Sequence, residues 1–160
     1  MKDILELLKG SDAPSEDPAA FLRASIVFWL IGATDGHAKN FSLFLSPGGR
    51  FRLTPLYDVL SAQPSLDAKQ IQRKAFKLAM SVGKNRHYAM NDILPRHFIQ
   101  TAEISGVGAS VVHAIFSDLA ENFEPAFAKV LKALPKGFPE ELTNSIRVAA
   151  VHRISLLSDA

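Results

Sequence analysis

The chain has 160 residues, of which 48% are hydrophobic and 21% charged, and its formal net charge is +2. This length predicts a single domain that can bury one full core, and the composition excludes a disordered chain. The absence of cysteine excludes disulfides, iron–sulfur clusters and cysteine zinc sites, and it fits a reducing, cytoplasmic setting.

The first third of the chain is predicted to be helical. A short amphipathic helix is expected over 2–10, and a longer one over 18–33, with Asp17 as its N-cap and Pro18 at its first position. The longer helix is apolar nearly all round, which is typical of a helix in the middle of a core. Its uncharged stretch from Ala24 to Thr34 has only 11 residues, whereas a membrane span needs about 20, so we expect no membrane association.

A polar loop and a β-hairpin are predicted next. The loop runs from Thr34 to Asn40, and alternating apolar residues over 41–45 and 51–53 flank a Pro-Gly-Gly turn. A third short strand is expected over 75–80.

The rest of the chain is predicted to be helical, with helices over 93–104 and 109–133 and a last one that starts at Pro139. The core side of the last helix is expected to consist of Leu142, Ile146, Ala150, Ile154 and Leu157. The predicted fold is therefore mainly α, a helical bundle with one small β-hairpin that carries a polar loop.

Two carboxylates and one amide flank the predicted hairpin. Asp35 and Asn40 lie before it, and Asp58 follows it, 23 residues beyond Asp35. Because a hairpin returns the chain to its starting point, the three side chains can converge, and their oxygens would suit Mg²⁺ better than zinc. The alternative is that Asp35 and Asn40 cap a turn, and that Asp58 caps a helix. The Asp-x-x-x-x-Asn spacing is also that of a protein-kinase catalytic loop.

Two segments carry a family resemblance. The segment Gly-Ala-Thr-Asp-Gly-His-Ala-Lys-Asn-Phe-Ser at 32–42 and the segment Leu-Thr-Pro-Leu-Tyr-Asp at 53–58 closely resemble the C-terminal domain of the HipA family. The similarity continues through 77–83 to the final helices. HipA-family proteins are serine/threonine kinase toxins of bacterial type II toxin–antitoxin systems.

The resemblance implies a protein-kinase-like C-terminal lobe that transfers the γ-phosphate of ATP to a serine or threonine of a protein. Asp35 matches the catalytic base of the family, and Asn40 and Asp58 match its Mg²⁺ ligands. The family resemblance also implies an aminoacyl-tRNA synthetase as a candidate substrate and a HipB-like antitoxin as a partner, with DNA reached only indirectly.

Three neighbouring residues are candidates for nucleotide binding. His37 and Tyr57 match positions that border the nucleotide in the family, and Lys39, inside the motif, can contact phosphate or the base. Each has an alternative interpretation. His37 can be a loop histidine bonded to backbone, Lys39 can point outward or pair with Asp35, and Tyr57 can simply pack beside the hairpin.

One half of a kinase is not visible in this sequence. It contains no Gly-x-Gly-x-x-Gly motif, no strand-borne lysine precedes Asp35, and the 34 residues before Asp35 are too few for a five-stranded lobe. We therefore expect residues 1–160 to form one HipA-like C-terminal domain without the N-terminal ATP-binding lobe, and to have little activity alone. A domain cut from a longer protein, a truncated gene product and a lobe supplied in trans remain open. The alternative function is a non-catalytic remnant or interaction module that binds an antitoxin or a partner lobe.

Two further patterns resemble binding sites. The segment 101–112 superficially fits a helix-turn-helix, but the second helix lacks the basic residues that read bases, so two helices packed across a glycine turn fit better. The segment 69–90 holds six basic residues and no acidic one. It can face nucleotide phosphates, an acidic partner or DNA, and the alternative is a solvated strand face.

Overall fold

The computed structural model describes residues 1–159, which are mainly helical. Six α-helices lie in that range: α1 (Lys2–Leu8), α2 (Glu16–Ile31), α3 (Gln63–Asp67), α4 (Pro95–Ile104), α5 (Ala109–Ala133) and α6 (Glu140–Ser155). Two separate antiparallel hairpins accompany them: β1 (Leu43–Ser46) with β2 (Arg50–Leu53), and β3 (Lys77–Val82) with β4 (His87–Ala89). Within residues 1–159, no helix is both long and apolar enough to cross a membrane.

Helix α2 forms the centre of the core, as its sequence predicts. Its large side chains, among them Phe21, Ile26 and Trp29, are almost fully buried. It packs against α1, α4, α5 and α6, and the Trp29 ring lies 5.7 Å from the ring of Phe98 on α4. Because this helix has no polar face, it is stable only when it is surrounded, and its C-terminal end is therefore a well-supported platform for the loop that follows.

The prediction of one small hairpin is wrong, because the structure has two. The strand expected over 75–80 is β3, and it pairs with β4 across a turn in which Gly83 and Arg86 have positive φ angles of 78° and 57°. Strand β4 has three residues, too few for a visible alternation of apolar and polar side chains. The five-residue helix α3 was not predicted either, because it is too short to show a helical period.

Helix α2 begins earlier than predicted, after Ser15, so Asp17 is not its N-cap. The Asp17 carboxylate is instead buried against the first hairpin. It accepts hydrogen bonds from the Leu53 amide at 3.0 Å and from the Arg52 guanidinium at 3.2 Å. Asp17 therefore fixes strand β2 to the first turn of α2, which orients the hairpin next to the polar loop.

The final helix also differs slightly from its prediction. Pro139 is the N-cap of α6 rather than its first residue. On its expected core side, Ala150 and Leu157 are buried, whereas Leu142 is 39% exposed. The N-terminal half of α6 extends beyond the core together with the end of α5, which is why the apolar spacing overestimates its burial.

The Asp17 contact predicts a pH dependence of stability. Burial raises the pKa of Asp17, but the hydrogen bonds from Leu53, Ser11 and Arg52 outweigh it and hold the pKa below its usual value. A carboxyl with a lowered folded-state pKa stabilises the fold fully above its unfolded pKa of about 3.9, and this contribution is lost as the pH falls through the folded-state pKa. Asp17→Asn should therefore lower the free energy of unfolding by about 1–2 kcal/mol at neutral pH.

Urea unfolding followed by circular dichroism over a range of pH measures this effect. The difference between wild type and Asp17→Asn should shrink as the solution is acidified, because both side chains are then neutral. Asp3→Asn, an exposed change on α1, is the control and should have little effect. A difference that stays constant down to acidic pH would contradict the assignment.

Candidate functional site

The site begins where helix α2 ends. Gly32 ends the helix in the left-handed conformation, with φ 70°, and a Cβ there would lie 2.8 Å from the Phe76 ring. The segment after the first hairpin returns to the same helix end. The Ala62 amide donates to the Gly32 carbonyl at 2.9 Å, and the Ser61 hydroxyl donates to the Ile31 carbonyl. The polar loop before the hairpin and the segment after it are therefore held side by side.

The structure brings Asn40 and Asp58 together. The Asn40 Nδ2 lies 3.3 Å from the Asp58 Oδ2, and Asn40 is buried, with an exposed fraction of 5%. Asp58 is exposed and has a left-handed backbone, with φ 54°. The next helix starts only at Gln63, so the alternative that Asp58 is an N-cap is wrong. The hairpin thus joins an amide and a carboxylate from its two flanks.

Asp35 is not bonded to that pair. Its side chain is 73% exposed, and its Oδ1 lies 3.3 Å from the Nε2 of His37. Among the described residues, no hydrogen bond or ion pair joins Asp35 to Asn40, Asp58 or Lys39. The alternative salt bridge between Lys39 and Asp35 is therefore not formed. An exposed carboxylate at this position is open to an incoming group.

Different contacts hold the candidate residues His37 and Tyr57. His37 reaches Asp35 through Nε2, while its Nδ1 is buried and has no hydrogen-bond partner within residues 1–159. The Tyr57 hydroxyl lies 2.7 Å from the Ser42 Oγ and donates to the Lys39 carbonyl at 3.2 Å. Tyr57 therefore does more than pack beside the hairpin, and sequence analysis missed Ser42 as its partner.

Gly36 is a further residue that sequence analysis missed. A Cβ at this position would lie 2.2 Å from the Phe28 ring, so the loop backbone rests directly on the side of α2. Phe28 is itself buried, and its ring lies 6.0 Å from that of Phe41. Only glycine permits this approach, which places Asp35 and His37 on either side of the contact.

This contact predicts that Gly36→Ala destabilises the fold by about 1–3 kcal/mol, because the added methyl group must displace the loop or the Phe28 ring. Thermal and urea unfolding measure the change. Gly10→Ala is the matched control, since its Cβ would meet only ordinary contacts at 3.4 Å or more. In a Phe28→Leu background, Gly36→Ala should lower the free energy of unfolding by less than it does in wild type. Equal effects of Gly36→Ala in the two backgrounds would contradict a steric cause.

The donor atoms fit Mg²⁺ bound together with phosphate rather than a metal held by protein alone. In the part of the chain that the structure describes, no group of three or more His, Cys, Asp or Glu side chains could hold a metal ion. The Asn40 Nδ2 points at Asp58, and the Asn40 Oδ1 and the Asp58 carboxylate are the oxygens that would be available to a cation. Mg²⁺ is commonly held by one or two such protein ligands plus waters and substrate phosphates.

The basic segment 69–90 begins just after α3 and includes the second hairpin. All six cationic side chains are exposed, and among the described residues none forms a salt bridge: Lys69, Arg73, Lys74, Lys77, Lys84 and Arg86. The segment that resembled a helix-turn-helix, 101–112, holds the end of α4 and the start of α5, and these two helices pack together. Neither feature contributes a side chain to the Asn40–Asp58 pair.

Comparisons with known proteins identify the family. The model of the HipA-like C-terminal domain matches residues 1–127. The chain is similar to "Putative kinase Y4mE" of Sinorhizobium fredii (strain NBRC 101917 / NGR234), with 34% identity over 134 residues, which cover 82% of this chain and 29% of that protein.

A solved structure shows the same fold. The chain is similar to a chain in the Shewanella oneidensis MR-1 complex of HipA, HipB and operator DNA, with a TM-score of 0.83 and 20% identity over 99% of this chain and 36% of that chain. The chain thus spans about a third of the length of either relative. The mainly helical fold is that of the kinase-like HipA proteins, as the sequence resemblance predicted. Together, the family match and the curated relative show that the chain belongs to the family of HipA-like C-terminal domains.

Proposed function

We propose that this chain is the C-terminal lobe of a HipA-like serine/threonine kinase toxin, which transfers the γ-phosphate of ATP to a protein hydroxyl. The observation that carries the proposal is the contact between Asn40 and Asp58, whose side chains lie 3.3 Å apart although 18 residues separate them. They match the family's metal-binding positions, and their oxygen donors suit Mg²⁺.

Each site residue has a role that its environment supports. Asp35 is the proposed base: it is exposed to an incoming serine or threonine hydroxyl, and the His37 Nε2 contact orients its carboxylate. Asn40 and Asp58 would hold Mg²⁺, which when bound would neutralise charge on the ATP phosphates. His37, Lys39 and Tyr57 would border the nucleotide, with the Tyr57 ring rather than its bonded hydroxyl as the available surface.

A second lobe is needed to complete the nucleotide site. Large apolar side chains are exposed beside Asp58, with Leu56 and Tyr57 44% exposed and Leu60 73% exposed. We infer that an N-terminal lobe covers this surface and encloses ATP, either as part of a longer protein or in trans. Positioning and electrostatic stabilisation supply most of phosphoryl-transfer catalysis, so the isolated chain should transfer little phosphate.

The proposed partners follow from the family. The Shewanella neighbour is in a complex with HipB and operator DNA, which supports a HipB-like antitoxin as the partner of this chain and an indirect link to DNA. A protein substrate such as an aminoacyl-tRNA synthetase and a cytoplasmic location complete the proposal. The alternative is a non-catalytic interaction module that keeps the fold and binds the antitoxin or a partner lobe.

Calorimetric titration with ATP, with and without Mg²⁺, separates the two functions. Wild type should bind ATP in a Mg²⁺-dependent way, and Asp58→Asn should lose that dependence. Asparagine tolerates the left-handed backbone at this position, so the variant should remain folded. Asp3→Asn on α1 removes the same charge outside the site and should bind like wild type. Absence of Mg²⁺-dependent binding by wild type would favour the interaction module.

A further inference from the structure

The hydroxyl of Tyr57 bonds on both sides of Asn40. It donates to the carbonyl of Lys39, the residue before Asn40, and it lies 2.7 Å from the hydroxyl of Ser42, two residues after it. A phenol has one proton to give, and that proton goes to the carbonyl. Ser42 is therefore the donor in the second bond, and one oxygen joins both ends of the 39–42 segment.

The same tyrosine directly precedes Asp58, whose backbone is held in an uncommon conformation. A φ of 54° is left-handed, and in a residue other than glycine this conformation is strained and persists only where the surroundings impose it. Two contacts hold the backbone around Asp58. One is the hydrogen bond from the Tyr57 hydroxyl to the Lys39 carbonyl, and the other is the contact between the Asn40 and Asp58 side chains.

The Tyr57 hydroxyl can be removed without disturbing the hydrophobic core. The side chain of Tyr57 is 44% exposed, so the residue is not a core residue. Removal of the hydroxyl alone would leave a phenylalanine ring in the same place and would open no cavity. The bonds of this hydroxyl therefore act on the geometry of the two loops more than on the stability of the whole fold.

We propose that Tyr57 is a positioning residue that holds Asn40 and Asp58 in register. Its hydroxyl joins the loop that carries the amide to the segment that carries the carboxylate, so the two side chains already lie side by side before a cation arrives. Any effect of Tyr57 on catalysis rests on the proposed function. Its effect on the position of Asn40 does not. A cation site whose ligands are oriented in advance binds more tightly than one whose ligands must be ordered on binding.

Tyr57→Phe tests the proposal with a matched control. The chain has two tyrosines, and the Tyr88 hydroxyl bonds to Arg86 on the second hairpin, so Tyr88→Phe removes the same atom elsewhere. Nuclear magnetic resonance of the full chain, titrated with Mg²⁺ in the presence of ATP, reports the side-chain amide of Asn40 and the backbone amide of Asp58. Thermal unfolding of the same samples reports global stability.

Tyr57→Phe should move the Asn40 side-chain signals and weaken Mg²⁺ binding about tenfold, in line with other residues that orient metal ligands, with little change in melting temperature. Ser42→Ala should have a smaller effect of the same kind, and Tyr88→Phe should have none. Unchanged Asn40 signals in Tyr57→Phe would overturn the proposal, even if wild type binds Mg²⁺. If wild type does not respond to Mg²⁺ but the Asn40 signals still move, the positioning role stands and the proposed kinase function fails.

Discussion

Phosphoryl transfer is expected to fall about a hundred- to ten-thousand-fold when Asp35 is replaced by asparagine in a kinase completed with an N-terminal lobe. Asparagine has the shape of aspartate and keeps an oxygen that can face the His37 Nε2, so the loop should keep its conformation. It cannot accept the proton of a substrate hydroxyl. The loss therefore measures the contribution of the base.

A chimera provides the complete kinase. This chain would replace the matching segment of the Sinorhizobium fredii relative, which is 34% identical over 134 residues. Transfer of radiolabelled phosphate from ATP to a generic protein substrate is then compared for the chimera, its Asp35→Asn variant and its Asp3→Asn control. The chain alone should be inactive or nearly so. Clear turnover by the isolated chain that disappears in Asp35→Asn would show that the second lobe is dispensable.

A second large effect is expected at Arg153, which is buried where three helices meet. Its guanidinium donates to the Leu30 carbonyl at 2.8 Å and to the Gln63 side chain at 2.9 Å, and it lies over the Phe76 ring at 5.6 Å. Burial lowers the pKa of Arg153, whereas Asp67 raises it, and the net shift is downward. Arg153 thus ties α6 to the end of α2 and to α3, the two elements that flank the site.

Arg153→Met should lower the free energy of unfolding by about 2–4 kcal/mol, because two buried oxygen acceptors lose their donor while the apolar volume is kept. Urea unfolding measures the change. Arg147→Met, on the same helix, is the control. Arg147 forms an exposed bidentate pair with Glu124, and its loss should cost less than about 1 kcal/mol. Similar losses in both variants would contradict the role assigned to Arg153.

The elements that sequence analysis predicted well are those with strong local signals. Helix α2 is apolar nearly all round, the first hairpin alternates around a Pro-Gly-Gly turn, and α5 covers the predicted range 109–133. Elements of three to five residues, β4 and α3, were missed because so short a segment carries no period. The role of Asp17 was misassigned because its partners on β2 lie 35 and 36 residues away.

The sequence by itself determined which side chains are available for the chemistry and, through the hairpin between them, that Asn40 and Asp58 would meet. Only the tertiary structure decided that Asp35 is exposed beside His37 and not bonded to that pair, and that the Tyr57 hydroxyl spans the loop around Asn40. The physical reason is that a hairpin restricts where its two flanks lie but not where their side chains point. Those directions depend on close contacts between distant residues, such as Gly36 on Phe28, which leave no periodic signal in the chain.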